Sequence, residues 1–157
     1  MRRTVYLETS IVSYYTARPS RDLVIAAWQE ITRGIWPVLQ ADFDTYISAL
    51  VIQEASRGDN EAAKKRLSAL SGIPVLELTD QAQELANSLI TADAIPATAE
   101  EDALHIAVAS LNGMEFLLTW NFGHINNAFK KSKITQSIEN HGLIPPEICS
   151  PEEFIGD

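Results

Sequence analysis

Short apolar runs alternate with longer segments of helical periodicity along this chain. Clustered apolar and β-branched residues predict four strands, at residues 4–7, 44–47, 74–78 and 116–120. Apolar residues at helical spacing predict six helices, at residues 21–35, 49–57, 60–70, 80–91, 98–111 and 130–140. The proline-rich tail is expected to be irregular, apart from an edge strand near Ile148.

Individual polar, glycine and proline residues predict where several helices begin and end. Gly34 and Pro37 predict that the first long helix ends near residue 35. Ser48 is a suitable N-cap for the helix that follows the second strand. Thr98 and Glu101 fit the capping box that opens a later helix.

Strands that alternate with helices predict an α/β fold. We expect a three-layer α/β/α architecture around a central parallel sheet of about four to five strands. The length of 157 residues is that of one domain, which we place at residues 1–157. In such sheets, ligands collect outside the carboxyl ends of the strands.

Three carboxylates and one amide lie at the edges of apolar segments. Glu8 and Asn121 directly follow predicted strands, while Glu54 and Asp102 lie in predicted helices that could point back to the same edge. We therefore expect the four side chains to converge. Clustered oxygen ligands of this kind hold Mg²⁺ or Mn²⁺ for phosphoryl chemistry.

Charge and composition narrow the functional classes. The formal net charge of −9 lacks the basic footprint of a general nucleic-acid binder, so a nuclease of this composition would depend on a metal for local positive charge. Cys149 is the only cysteine, which excludes an internal disulfide and a cysteine-based zinc site. No apolar run approaches the roughly 20 residues of a membrane-spanning helix, and we expect a cytoplasmic protein.

The order and spacing of these segments resemble the PIN-domain family of metal-dependent ribonucleases. The resemblance rests on the opening strand with Glu8, on residues 47–54, on residues 101–107 and on residues 118–122. The tail at residues 142–154 is also similar to the ending of that family, so the resemblance covers nearly the whole chain. The nearest subgroup resembles the VapC-type toxins of bacterial toxin–antitoxin pairs.

This resemblance implies a PIN-like fold and an activity. It implies an Mg²⁺- or Mn²⁺-dependent endoribonuclease that hydrolyses RNA through a metal-activated water and leaves a 5′-phosphate and a 3′-hydroxyl. It also implies two protein partners: a cognate antitoxin whose basic segment suits the negative charge, and a second copy of the chain in a homodimer.

The resemblance assigns roles to the four polar residues. It implies Glu8 and Asp102 as principal metal ligands, direct or through water, and Glu54 as a ligand through water or as the group that orients the attacking water. Asn121 would be a supporting ligand to the metal or to the substrate. The family usually has Asp at the positions of Glu8 and Asn121. Glu is one methylene longer, and Asn keeps a ligating oxygen without the charge.

Three further polar residues lie close in sequence to these four. Thr9 and Thr119 are expected to donate hydrogen bonds to the ligands. His105 lies three residues after Asp102 on the same helical face, a spacing that permits metal binding but is more often that of a buried, hydrogen-bonded histidine.

Two other functions are compatible with these residues. With Glu8 and Asn121 in place of Asp, the chain could be a catalytically weak module that acts by protein or RNA binding. A phosphatase of the haloacid-dehalogenase type also has an acidic residue after its first strand. That chemistry requires an Asp nucleophile and a second Asp two residues later, where this chain has Glu8 and Ser10.

Overall fold

A five-stranded parallel sheet forms the centre of the protein. The computed structural model describes residues 1–154, so residues 155–157 of the predicted domain lie outside the described part. The strands are β1 (Thr4–Leu7), β2 (Asp44–Ser48), β3 (Val75–Leu76), β4 (Phe116–Leu118) and β5 (Glu147–Cys149). Their spatial order is β3-β2-β1-β4-β5, and all neighbouring pairs are parallel. The predicted α/β fold is confirmed.

Helices follow or precede every strand. They are α1 (Thr9–Thr16), α2 (Leu23–Asp42), α3 (Ala49–Ala55), α4 (Asn60–Leu70), α5 (Asp80–Thr91), α6 (Glu100–Leu111), α7 (Lys131–Asn140) and α8 (Pro151–Phe154). A single 3₁₀ turn, Ala97–Ala99, precedes α6. Within residues 1–154, no helix combines the length and the apolar character needed to cross a bilayer.

The path of the chain places helices on both faces of the sheet. From β1 the chain moves outward to β2 and β3, and it then returns past β1 to β4 and β5. Because parallel crossovers are right-handed, this reversal puts α1 to α4 on one face and α5 to α7 on the other. Contacts between the helices agree with this division into two faces, since α1 contacts α2, α3 and α4, while α5 contacts α6 and α7. The reversal lies between β1 and β4, where open parallel sheets bind ligands.

Buried apolar residues in the two central strands fix the register at that point. Leu7 of β1 pairs with Leu118 of β4, and both side chains are inaccessible to solvent. Fully burying a side chain of this size contributes roughly 1.5–3 kcal/mol, so a slip of one residue would be costly. The register sets Glu8 beside Thr119, and the Glu8 amide donates to the Leu118 carbonyl at 3.1 Å.

Helix α2 continues well beyond its predicted end. Pro37 lies inside the helix, although proline lacks the amide hydrogen of an interior position and crowds the preceding turn. The helix continues because Ile35, Trp36 and Leu39 on its other side are buried in the core. Pro37 itself is exposed. The prediction of a helix end at residue 35 was therefore wrong, because tertiary packing outweighs the local signal.

Smaller differences occur at other element ends. Strand β3 comprises only Val75–Leu76 rather than residues 74–78, and it pairs with β2 alone at the edge of the sheet. Helix α3 ends at Ala55 instead of Arg57. The tail is more regular than expected, because the short helix α8 begins at Pro151, where the fixed φ of proline suits the first turn.

Candidate active site

Three chain segments meet at the carboxyl ends of the central strands. Glu8 follows β1, Thr119 follows β4, and Ser48 ends β2. Helix α3 carries Glu54, and helix α6 carries His105. The side chains described below therefore come from residues up to 111 positions apart in the sequence.

Glu8 is held by hydrogen bonds to both of its carboxylate oxygens. It is the N-cap of α1, where its Oε2 accepts from the Ser10 amide at 3.0 Å. Its Oε1 accepts from the hydroxyls of Ser10 at 2.5 Å and Thr119 at 2.6 Å. The Ser10 hydroxyl accepts in turn from the Trp120 amide at 2.9 Å. Glu8 is only 6% exposed, so its longer side chain folds back and is fixed at the strand end.

Glu54 forms the second half of this cluster. Its Oε1 accepts from the Thr9 hydroxyl at 2.7 Å and lies 2.5 Å from His105 Nε2. The two threonines predicted as donors, Thr9 and Thr119, thus contact Glu54 and Glu8 respectively. Each carboxylate is oriented before any ligand binds, which is what a preorganised site requires.

A buried chain of hydrogen bonds holds the Nδ1 side of the His105 ring. Its Nδ1 lies 2.6 Å from the Tyr6 hydroxyl, which lies 2.8 Å from the Ser48 hydroxyl. All three residues are fully buried. The expectation of a buried, hydrogen-bonded histidine agrees with this contact pattern, and Ser48 uses its hydroxyl here instead of capping α3.

The surroundings of Glu54, His105 and Tyr6 shift the pKa values of these three side chains. Burial raises the pKa of Glu54, but the hydrogen bond and charge of His105 and the Thr9 hydroxyl together bring that pKa down to about 2. Burial opposes the charged form of His105, yet its hydrogen bond to Glu54 and the nearby charge of Glu8 leave its pKa raised. Burial also raises the pKa of Tyr6 well above its ordinary value, so its hydroxyl keeps its proton.

The donor set fits a divalent cation. Ligand atoms of Glu8, Glu54 and His105 all lie within 4.8 Å of one another, and within residues 1–154 this is the one such group of three. Two carboxylates and an imidazole are all competent ligands for first-row divalent ions. The two carboxylates would otherwise repel each other, which a cation would relieve.

Asp102 and Asn121 lie beside this cluster but face a different residue. Asp102 Oδ2 lies 2.8 Å from His124 Nδ1, and Asn121 Oδ1 accepts from the His124 amide at 3.0 Å. Glu54, Asp102 and His124 line one open cleft of about 420 Å³. The structure thus places Asp102 in the same cleft as Glu54, whereas the group of three ligand atoms includes neither Asp102 nor Asn121.

The sequence did not predict two of these contacts. Nothing in its spacing links His124 to Asp102, because an irregular segment carries His124 to the site. The expected capping box at α6 is absent, since no side chain caps that helix. Glu101 instead forms an ion pair with Arg57 at 3.0 Å at the cleft rim. This ion pair joins α6 to the end of α3. It engages the Glu101 carboxylate, which the predicted capping box would have used.

The PIN-domain family matches residues 5–129 of the sequence, which include all of the side chains described above. The chain belongs to the PIN-domain family. No protein with a curated description matches the sequence significantly. The family assignment places the Glu8 and Glu54 cluster within a PIN domain at the switch point of its sheet.

Solved structures share the fold of this PIN domain. VapBC2 from Rickettsia felis, bound to a DNA fragment from its promoter, matches with a TM-score of 0.59 at 14% identity, over 94% of this chain and 98% of that chain. VapC20 from Mycobacterium tuberculosis, a sarcin–ricin loop cleaving toxin, matches with a TM-score of 0.58 at 15% identity, over 89% of this chain and 96% of that chain. The predicted resemblance to VapC-type toxins is confirmed at the level of the fold.

Proposed function

We propose that this PIN domain is a divalent-metal-dependent endoribonuclease that hydrolyses phosphodiester bonds of RNA. The observation that carries the proposal is the convergence of Glu8 and Glu54 at the switch point of the sheet, with a third ligand atom within 4.8 Å. Asp102 lines the same cleft as Glu54. The fold shared with VapC20, a toxin that cleaves the sarcin–ricin loop, supports the same conclusion.

The four residues predicted from the sequence would hold the ion and the substrate. Glu8, Glu54 and Asp102 would supply carboxylate oxygens to Mg²⁺ or Mn²⁺, and Asn121 would support the site through its amide oxygen. The bound ion supplies an activated water and offsets negative charge at the scissile phosphate. Ser10 and Thr119 keep Glu8 in place at the strand end.

Two residues keep Glu54 ionised and oriented at the cleft. Thr9 and His105 both contact its Oε1, and their hydrogen bonds hold the carboxylate in the charged form. A carboxylate in this state is too weak a base to remove a proton from water at neutral pH, but it can orient an attacking water by accepting a hydrogen bond from it. The cleft that Glu54 shares with Asp102 and His124 is open to solvent, as a polymeric substrate requires.

We also propose that the protein is the toxin of a toxin–antitoxin pair. The fold is shared with VapC20, which is described as a toxin, and with VapBC2, which is bound to a DNA fragment from its promoter. The net charge of −9 would suit an antitoxin that presents a basic segment to the cleft. We also propose that the protein is a homodimer and that it is cytoplasmic. Sedimentation of the purified protein would test the homodimer.

Cleavage of a mixed RNA pool by the purified protein tests the proposed activity. Parallel reactions contain EDTA, Mg²⁺ or Mn²⁺, and the variants are Glu54→Gln and Asp102→Asn. Glu139→Gln is the matched control, because it makes the same change at an exposed carboxylate on α7. We expect metal-dependent cutting by the wild type and the control, with a loss of at least about 100-fold in the two site variants.

The opposite outcome would favour the binding-module alternative. If the folded protein cuts no RNA with any divalent ion, the departures at Glu8 and Asn121 are the first explanation to test, by restoring Asp at both positions. Cutting that persists in both Glu54→Gln and Asp102→Asn would show that the active site lies elsewhere.

A further inference from the structure

The third ligand atom beside the two glutamates is a ring nitrogen. His105 Nε2 lies 2.5 Å from Glu54 Oε1, and a ring nitrogen of His105 lies within 4.8 Å of a carboxylate oxygen of Glu8. Asp102 and Asn121 lie outside this group of three, and each contacts His124 through one side-chain oxygen. The closest group of ligand atoms therefore contains both oxygen and nitrogen, and Asp102 would add a further oxygen from the same cleft.

The other ring nitrogen of His105, Nδ1, has the kind of hydrogen-bond partner that metal-binding histidines have. A histidine that binds a metal usually donates its other ring N–H to a fixed acceptor, which sets the tautomer and the ring orientation. His105 Nδ1 has such a partner in the Tyr6 hydroxyl at 2.6 Å, and Ser48 fixes Tyr6 in turn. The ring is fully buried, and this arrangement directs Nε2 towards Glu54 Oε1, with the Glu8 carboxylate close by.

We propose that His105 Nε2 is a direct metal ligand together with Glu8 and Glu54, and that the site therefore favours Mn²⁺ over Mg²⁺. This inference rests on the proposed metal-dependent function. Imidazole nitrogen suits first-row transition ions, whereas Mg²⁺ prefers a shell of oxygen atoms. A site made only of carboxylates would give the protein a weaker preference between the two ions.

The hydrogen bonds of His105 and Tyr6 are compatible with the His105 tautomer that metal binding requires. A nitrogen that binds a metal carries no proton, so the neutral ring must hold its proton on Nδ1. Nδ1–H then donates to the Tyr6 oxygen, and the Tyr6 hydroxyl donates to the Ser48 oxygen. The donor is not fixed in either contact, so both hydrogen bonds can take this direction. On metal binding Nε2 would lose its proton to solvent and its hydrogen bond to Glu54, while the bound ion and the Thr9 hydroxyl would keep Glu54 charged and oriented.

Pulsed electron paramagnetic resonance of Mn²⁺-loaded protein tests nitrogen ligation directly. We expect a ¹⁴N coupling of a directly bound imidazole in the wild type, which changes to the ¹⁵N pattern after labelling with ¹⁵N-histidine. The coupling should disappear in His105→Gln. It should persist in His124→Gln, the matched control, because His124 contacts Asp102 outside the group of three.

Calorimetric dissociation constants separate a ligand from a residue that only positions Glu54. If Nε2 binds the ion, His105→Gln weakens Mn²⁺ binding by at least about tenfold and leaves Mg²⁺ binding nearly unchanged, so the preference between ions falls. If His105 only orients Glu54, both ions lose affinity by a similar factor. Equal losses would overturn the proposal.

Other outcomes also decide the question. Mn²⁺ that binds without nitrogen coupling, or coupling that disappears in His124→Gln, overturns the role of His105. If His105→Gln does not fold, the chain still has only three histidines, so labelled His124→Gln and His141→Gln identify the ligand by elimination. RNA cleavage with Mg²⁺ and no nitrogen coupling would leave the nuclease proposal intact and reject this one alone.

Discussion

Thr119 shows how much of this site depends on single hydroxyl groups. Its Oγ1 donates to Glu8 Oε1 at 2.6 Å and accepts from the Asn121 amide at 2.9 Å. The residue is completely buried. One side chain therefore joins the end of β4 to the carboxylate that follows β1 and also shapes the turn that carries Asn121.

Replacing Thr119 by Val tests that link, because Val has nearly the same shape and no hydroxyl. We expect the free energy of unfolding to fall by about 1–3 kcal/mol, since a buried carboxylate and an amide each lose a partner. RNA cleavage should fall as well. Urea unfolding and the cleavage assay measure the two effects. Thr91→Val, at an exposed position, is the control and should change neither.

The Glu54 and His105 pair predicts how stability varies with pH in metal-free protein. Glu54 has a pKa of about 2 against an ordinary 4.5, so its contribution is complete above pH 4.5 and is lost as the pH falls towards 2. The pKa of His105 is raised above 6.5, so its contribution is complete below pH 6.5 and is lost as the pH rises through that higher value. The pair is therefore most stabilising between about pH 4.5 and 6.5.

Urea unfolding in EDTA from pH 3 to 9 measures this dependence. The difference in unfolding free energy between the wild type and His105→Gln should be largest in that window and decline on both sides. Glutamine is chosen because it keeps an N–H donor but cannot become charged. A difference that does not vary with pH would contradict the assignment of a charged pair.

At the scale of elements, α2 carries two residues that weaken a helix. Gly34 and Pro37 both lie inside its 20 residues and are exposed. The buried side of the helix compensates, through contacts that Ile35, Trp36 and Leu39 make with the core. The helix is therefore held by packing more than by its own sequence.

Gly34→Ala should stabilise the protein by about 0.5–1 kcal/mol, because alanine loses less backbone entropy in a helix. A Cβ at position 34 would meet nothing within 4 Å, so no strain offsets the gain. Gly58→Ala is the matched comparison. It should destabilise by about 1 kcal/mol, since Gly58 adopts φ +84°, which favours glycine. Thermal unfolding of both variants distinguishes the two signs.

Elements with local signals were predictable, and contacts between distant residues were not. Helices α4 and α5 begin at the predicted residues, Asn60 and Asp80, and the Asp59 and Thr79 side chains accept from backbone amides in their first turns. The long-range contact between Glu54 and His105 spans 51 positions and has no sequence pattern of its own. The four-residue site remains a prediction in full. The structure brings Glu8 and Glu54 together but turns Asp102 and Asn121 towards His124.

At the scale of the whole molecule, acidic residues outnumber basic ones by 21 to 12. Repulsion among these charges opposes the compact state, and a bound cation at the cluster would relieve part of it. A ligand that binds only the folded protein also stabilises it by mass action. Both effects have the same sign, so the stability of the protein should depend on divalent ions.

Mn²⁺ at 100 times its dissociation constant should stabilise the fold by about 2.7 kcal/mol. For a chain of this length, that corresponds to a rise in melting temperature of roughly 5–10 °C. Differential scanning calorimetry measures the rise, with NaCl at equal ionic strength as the control. The rise should be lost in Glu54→Gln. An equal rise with NaCl would show general screening in place of a specific site.

The strand order has a consequence for the protein during its own synthesis. Of the five strands described, β1 leaves the ribosome first, yet it lies in the middle of the sheet and needs β4, more than 100 residues later, as its second neighbour. Glu8 acquires its contact with Thr119 only at that stage. A nascent chain that has not reached Thr119 therefore lacks this support for Glu8. We expect the proposed nuclease to cut no RNA beside the ribosome that is making it until β4 and Thr119 have also emerged.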